Sequence, residues 1–484
     1  MQARDDERTL VMKFGGTSVG NRQAFRQACE IVQQARSQWP RLVVVTSAMS
    51  GITNLLLESA SKAVEGNTEY VHQNAQRIRS QHWDILEALL PDLARQAQVK
   101  QEINHIIAEF TNLCQAIVVL GEATPRALDA VASLGERLSV RLLAAALDSR
   151  GMPAQFVEAT QLIITDRQFQ SAHPDFERTK QAIGTVLEPI LAQGKTPVVT
   201  GFIAATPEGV TITMGRGGSD YTAAILGALL PADDVWIWTD VDGVMTADPR
   251  TVPGAKTISM LTYREIAELA YFGAKVVHPK TIRPIIEAGI GLRVCNTFNP
   301  DHPGTRVVAD YPLNQAGNHN ADTMIKAVTA IREQSLITVE GKGMLGVPGV
   351  AARTFGAVAA TGTSVPLITQ ASSEQSICFA VPIDTVSRVI ASLESAFALE
   401  LNRGDIDRIW ATEEVTIITV VGAGMRNTPG IAGKIFGVLG DHGVNVIAIA
   451  QGSSEVSISL VVDAEDADAG VWSVHQLIDR SDRA

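Results

Sequence analysis

The stretch from Met214 to Ala224, MGRGGSDYTAA, gathers three glycines, one arginine and one acid at the foot of an alanine-rich run. The alternation over 210–214 predicts a strand leading in, and the run 221–229 predicts a helix leading out. Gly215, Gly217 and Gly218 let the backbone sit where a Cβ would clash and can aim successive N–H groups at one point. Ser219 reads as the helix N-cap and Asp220 falls in the first turn. A glycine-rich entrance to a helix N-terminus suits an anion. A capped turn alone would account for the glycines and the serine, but it requires neither Arg216 nor Asp220.

Two further loops have the same character. Lys13 ends a short apolar strand and is followed by Gly15, Gly16, Thr17 and Ser18, then a helix over 22–36. A mobile point charge beside backbone donors suits phosphate oxygens, although an exposed lysine beside a loop has the same local pattern. The run 41–47 predicts a second buried strand, and it ends in Ala48-Met49-Ser50-Gly51-Ile52-Thr53-Asn54. Ligands of open α/β sheets bind beyond the strand C-termini, so Lys13, Ser47 and Thr53 can share one crevice; Thr53 serves equally as an N-cap. Gly135-Glu136-Arg137 is read as opening a helix over 134–149. Glu136 then either grips an ammonium group or is a favourable first-turn acid. A strand over 234–239 ends in Thr239 and Asp240. Asp240, Asp242, Asp248 and Arg250 around it suit magnesium-nucleotide or ribose contacts, or form a solvated Asp-Gly turn. Lys275 lies in another loop, and the nearby His278 is assigned no chemistry.

The elements that must hold these loops alternate strand and helix, with 55–150 almost wholly helical. The expected fold is a three-layer α/β/α domain on a largely parallel sheet over 1–310, with a helical insertion at about 55–150. A hydrophobic content of 46% across 484 residues supports several buried cores rather than disorder. The formal net charge of −12 argues against nucleic acid as a partner. Cys29, Cys114, Cys295 and Cys378 show no metal-ligand spacing and suit a reducing, cytoplasmic compartment. The polar N-terminus gives no sign of a signal peptide, and no apolar run approaches the ~18 residues of a membrane span. Gly194-Lys195-Thr196 fails as a P-loop, because Pro189 stands where the first glycine is required.

In this order and spacing, KFGGTS (13–18), MSGITN (49–54), GRGGSD (215–220), TDVDGV…DPR (239–250) and FGAKVVHP (272–279) resemble aspartate kinase, of the amino acid kinase superfamily. The resemblance covers the chain to about residue 310. It implies ATP-dependent phosphorylation of the L-aspartate β-carboxylate, the first step toward lysine, threonine and methionine, with Mg²⁺ accompanying ATP. By the same resemblance Lys13 meets the ATP phosphates beside Gly15 and Gly16. Ser47, Thr53, Glu136, Arg216 and Ser219 hold aspartate, and Asp220 orients the reacting groups. Thr239, Asp240, Met245, Arg250 and Lys275 would line the nucleotide pocket; Met245 departs from the tyrosine common in relatives. No direct metal ligands are assigned.

Beyond residue 310 the chain repeats itself. ITVEGKGMLGVPG from Ile337 recurs as ITVVGAGMRNTPG from Ile418, and Gln370-Ala-Ser-Ser-Glu374 recurs as Gln451-Gly-Ser-Ser-Glu455. Each copy predicts a βαββαβ unit, at about 325–400 and 412–484. Gly341, Gly343 and Gly346 match a dinucleotide fingerprint, but the second copy lacks the third glycine and the units are too short for that fold. The repeats resemble ACT domains, the amino-acid sensors of aspartate kinases, and look most like the threonine-regulated branch. That branch is the kinase half of bifunctional aspartate kinase–homoserine dehydrogenase. The resemblance implies that Gln370 and Gln451 contact an effector, threonine before lysine, and that the chain forms a homodimer or homotetramer through its ACT units. Both glutamines also read as ordinary strand-end polar residues.

Overall fold

Thr9–Phe14 (β1) is buried along its whole length, because parallel neighbours flank it on both edges. The computed structural model describes residues 8–273, 277, 279–311, 325–344, 347–370, 375–425, 428–452 and 456–481. They form two compact units: one holds residues up to 244 with 259–263 and 276–309, the other 245–258, 264–275 and 310 onward.

The first unit runs on from β1 through α1 (Arg22–Arg36), β2 (Arg41–Thr46), α2 (Ile52–Val64), α3 (Thr68–Leu89), α4 (Leu93–Leu120) and α5 (Pro125–Ser149). β3 (Ala154–Val157), α6 (Phe176–Ala192), β4 (Thr196–Thr200), β5 (Ile203–Ala205), β6 (Thr211–Thr213), α7 (Gly218–Leu229) and β7 (Asp234–Thr239) follow. After β8 (Met260–Thr262), the chain passes through α8 (Tyr263–Tyr271) and α9 (Pro279–Ala288) to β9 (Gly291–Asn296) and β10 (Thr305–Val308). The sheet order is β3-β4-β2-β1-β7-β9-β10-β8, parallel throughout except between β9 and β10. β5 and β6 form a separate hairpin.

Leu10, Met12 and Phe14 share one core with residues of α1 to α5, while α7 packs against β1, β2 and β7. The result is the expected three-layer α/β/α arrangement. Lys13 pairs in register with Val45 and Ile237, so it stands at the sheet's centre, one residue from the end of β1.

The helical stretch differs from the expectation in two places. α5 starts at Pro125, capped by the Thr124 side chain on Ala127 N at 3.2 Å, so Gly135 and Glu136 lie in mid-helix rather than at a helix start. The second concerns α4, which is long and apolar enough by composition to cross a membrane. Val99, Ile103, Ile106, Phe110, Cys114 and Ile117 put its buried stripe in the core shared by α1 to α5.

The second unit is built on β11 (Ala327–Glu340), a strand of 14 residues. It continues with α10 (Val350–Ala360), β12 (Ile368–Gln370), β13 (Ser376–Pro382), α11 (Val386–Ala396), α12 (Ala398–Arg403) and β14 (Arg408–Ala411). The second repeat supplies β15 (Val415–Val421), α13 (Ile431–Asp441), β16 (Ala448–Gln451), β17 (Ser457–Asp463) and α14 (Ala467–Ser481). One sheet in the order β12-β13-β11-β15-β17-β16, with β14 added to β11, holds both repeats.

The repeats are not separate beads. Residues 334–340 of β11 pair with β13, whereas 327–331 pair with β15 of the second repeat. The register breaks between Ile331 and Gln334, where Glu333 takes a φ of 57°. The second repeat thus receives its fourth strand from upstream of the first. Also in this unit, fully buried Glu265 of α8 accepts from Ala423 N at 2.7 Å and from the Tyr311 hydroxyl. Glu268 accepts from Ser457 Oγ at 2.6 Å.

Candidate functional site

A cavity of about 600 Å³ opens in the first unit beyond the C-terminal ends of β1 and β2. Lys13, Gly16, Ser47, Thr53, Glu136, Arg216, Ser219 and Asp220 all line it, drawn from four separate stretches of chain. Three elements aim these groups. β1 and β2 end side by side, which brings Lys13 and Ser47 together. α5 lays Glu136 across the loop after β2. The turn before α7 presents 215–220.

Lys13 Nζ lies 2.5 Å from Asp220 Oδ1, in an environment where both side chains are largely buried. The contact is one of charge: Asp220 Oδ1 has no hydrogen-bond partner of good geometry. The first helical turn of α7 places Asp220 there, as expected. The cap of that helix is Gly217, in the left-handed region at φ 71°, and not Ser219, which makes no capping bond and instead lines the cavity. A side-chain cap is not needed where a left-handed glycine already turns the chain. Gly218 N–H closes this turn onto Gly215 O at 3.0 Å, so that donor is unavailable to a ligand.

Gly51 caps α2, so Thr53 is also freed from the capping role and sits inside the helix facing the cavity. Arg216 is exposed in the cavity wall and has no ion-pair partner among the described residues.

Glu136 is 3% exposed. Its Oε1 accepts from Ala48 N at 3.1 Å, and its Oε2 has no partner. Burial pushes its carboxyl up to about 8 from the ordinary 4.5, against the opposing pull of the Ala48 amide. A first-turn acid would be solvated, so the helix-start explanation of Glu136 is set aside. Close approach requires Gly135 next to it: a Cβ there would lie 2.8 Å from the Ala48 Cβ.

The loop after β1 is fixed from behind. Gly15 N donates to Trp238 O at 3.0 Å, Ser18 Oγ to the same carbonyl at 3.2 Å, and Thr297 Oγ1 to Ser18 Oγ at 2.7 Å. Thr239 ends β7 and its hydroxyl donates to Asp240 Oδ1 at 3.2 Å. Gly15, Thr239 and Asp240 lie outside the cavity wall. Met245 and Arg250 belong to the second unit. Met245 Sδ accepts from Thr257 there, and Arg250 is exposed and paired with Asp248 at 2.6 Å. Lys275 lies outside the described residues. Gln370 and Gln451 end β12 and β16, and both are exposed.

Sequence reading missed Asp129, Gln170 and Phe202, which also line the cavity. Asp129 was legible in principle, seven residues before Glu136 and hence on the same helical face. Phe202 was not: it takes a φ of 68°, which no residue type other than glycine or asparagine advertises.

Residues 8–296 match the amino acid kinase family, and residues 337–397 and 418–477 match the ACT domain. A bifunctional aspartokinase/homoserine dehydrogenase of Zea mays is 37% identical over 96% of the chain, which corresponds to 50% of that protein. The chain spans about half the length of the bifunctional relatives it matches. The aspartokinase of Schizosaccharomyces pombe is 31% identical over 96% of the chain and 92% of its own length. The structure of E. coli aspartokinase III with aspartate and ADP superposes with a TM-score of 0.81 at 31% identity, covering 98% of this chain and all of the other. The same protein with lysine and aspartate superposes at 0.75 and 32% identity, covering 97% and 99%.

Proposed function

The chain belongs to the amino acid kinase family, in its aspartokinase branch, and from that premise we propose that it transfers the γ-phosphoryl group of ATP to the β-carboxylate of L-aspartate. The observation that carries the reading is the convergence of Lys13, Asp220, Glu136 and Arg216 on one cavity. The nucleophile is a carboxylate, already ionised at neutral pH, so no general base is needed. An oxygen of the β-carboxylate bonds to the γ-phosphorus, the bond to the bridging oxygen of ADP breaks, and the products are ADP and an acyl phosphate.

The obstacle is bringing two anions together, and positioning with charge neutralisation is what catalyses such a transfer. In this reading Arg216 takes the α-carboxylate bidentately, as its free guanidinium permits. The unpartnered Glu136 Oε2 takes the α-ammonium. Ser47, Thr53 and Ser219 border the side chain. Lys13 leaves its contact with Asp220 to meet phosphate oxygens, with Gly15 and Gly16 beside it. Thr239, Asp240, Met245, Arg250 and Lys275 are assigned to the nucleotide.

Mg²⁺ fits this site in one form only. Among the described residues no cluster of three or more His, Cys, Asp or Glu side chains is placed to hold a metal. An ion carried chiefly by phosphate oxygens and water, with the Asp220 carboxylate as one contact, agrees with that donor set. It would supply neutralisation of the phosphate charge.

The paired ACT matches support feedback control by an amino acid, and lysine is present in one structure of E. coli aspartokinase III. We assign threonine as the effector, with Gln370 and Gln451 as its contacts, and lysine as the alternative. Assembly is assigned to a homodimer or homotetramer. Hydroxylamine trapping with ATP and a panel of acidic amino acids tests the activity. The expected result is an aspartate β-hydroxamate; trapping with glutamate alone, or none at all, overturns the assignment. Titrating the rate with threonine and lysine decides the effector.

A further inference from the structure

Asp129 is 1% exposed, lies on α5, and spends its carboxylate on two segments that meet beside the 215–220 turn. Its Oδ2 accepts from Gln170 N at 2.9 Å and Thr213 N at 3.0 Å, and its Oδ1 from Thr213 Oγ1 at 2.7 Å. Thr213 ends β6, three residues before Arg216. Gln170 presses on the same turn from the other side: a Cβ on Gly215 would lie 2.8 Å from Gln170 O. Gln170 holds a φ of 67°, which a glutamine adopts only where its surroundings demand it.

Glu136 is seven residues further along α5, two helical turns, so it projects from the same face about 10 Å away along the axis. The helix that carries one proposed substrate contact is therefore bonded directly to the strand that delivers the other. We propose that Asp129 is a positioning residue: it fixes the offset between Glu136 and Arg216, and so sets the affinity for the amino-acid substrate through those two side chains. The proposal rests on the aspartokinase reading above.

Three donors converge on one carboxylate, two of them backbone amides. Removing the acceptor leaves them buried and unsatisfied, and the strand before Arg216 is released to seek water. A shift of about 1 Å in a substrate clamp can lower rates by two orders of magnitude. The nucleotide side of the site is anchored elsewhere, through Gly15, Ser18 and Trp238, so its binding should be spared.

The test compares Asp129→Ala, which removes the acceptor of all three bonds, with Thr213→Val, which removes only the hydroxyl bond and keeps the strand. Steady-state KM values for aspartate and ATP are measured, with amide exchange at Gln170 and Thr213. The expected result is a KM for aspartate raised tenfold or more in Asp129→Ala and severalfold in Thr213→Val. The KM for ATP stays within twofold, and exchange at the two amides accelerates in Asp129→Ala. If Asp129→Ala does not fold, Thr213→Val alone decides the matter. An unchanged KM for aspartate, or KM values for both substrates rising together, overturns the proposal while an active wild type leaves the kinase reading standing. A wild type inactive on every acidic amino acid overturns both.

Discussion

Binding of aspartate is expected to expel a proton from Glu136. Burial holds this carboxyl near 8 in the free site, with Oε2 buried and unpartnered in a residue that lines the cavity. An ammonium group placed against it favours the ionised form and pulls its pKa well below neutrality. At pH 7 a group titrating near 8 is about 0.9 protonated, so about 0.9 of a proton should leave per aspartate bound. The linkage also fixes a sign. The bound form needs the carboxylate, so affinity rises with pH until the free-site value is passed. If the bound carboxyl is fully ionised, affinity at pH 8 exceeds that at pH 6 by about 50-fold, because the ionised fraction rises from about 0.01 to 0.5. Isothermal titration calorimetry in buffers of different ionisation enthalpy measures the proton count directly. Glu136→Gln should bind more weakly and show neither the release nor the pH slope. Proton uptake, no exchange, or a flat affinity between pH 6 and 8 would refute the reasoning from burial.

Lys13→Ala is expected to lower kcat by about 10²–10³, the size found when one preorganised charge-stabilising donor is removed, while the circular dichroism spectrum stays that of the wild type. An active, folded variant would remove Lys13 from the chemistry. Gly135→Ala sets a helix-propensity gain of about 1 kcal/mol against a methyl forced to 2.8 Å from the Ala48 Cβ. The clash should win, destabilising by about 1–3 kcal/mol, read as a lower Tm. Because Ala48 N also holds Glu136, the KM for aspartate should rise with it. Gln451→Ala should weaken inhibition by threonine with little loss of uninhibited kcat; inhibition curves that superimpose would count against the effector assignment.

The site's main residues were readable because strand and helix periodicity places each glycine loop at a strand end, and parallel strands bring those ends together. Lys13, Ser47 and the 215–220 turn follow from that rule alone. Finer choices did not. Gly135 looked like a helix boundary, yet it is mid-helix because α5 crosses the loop at Ala48 too closely for any side chain. The true start was spelled in Thr124-Pro125, a capping residue followed by a proline suited to the first helical position. Ser219 looked like a cap, but Gly217 performs that turn through its backbone. Asp129 and Phe202 escaped because their roles depend on segments 41 and 84 residues away, or on a backbone conformation the residue type disfavours. The repeats were visible from Ile337 onward, whereas the lead-in strand that completes the second one shares no motif with either.

That lead-in strand has a consequence for how the regulatory half behaves as a piece of material. A single rail runs through both sensor folds, and only the kink at Glu333 separates the length serving one from the length serving the other. A nick in the link after Ala411 leaves the halves stitched. Neither copy can be excised as an intact module, because each depends on one length of the same unbroken backbone.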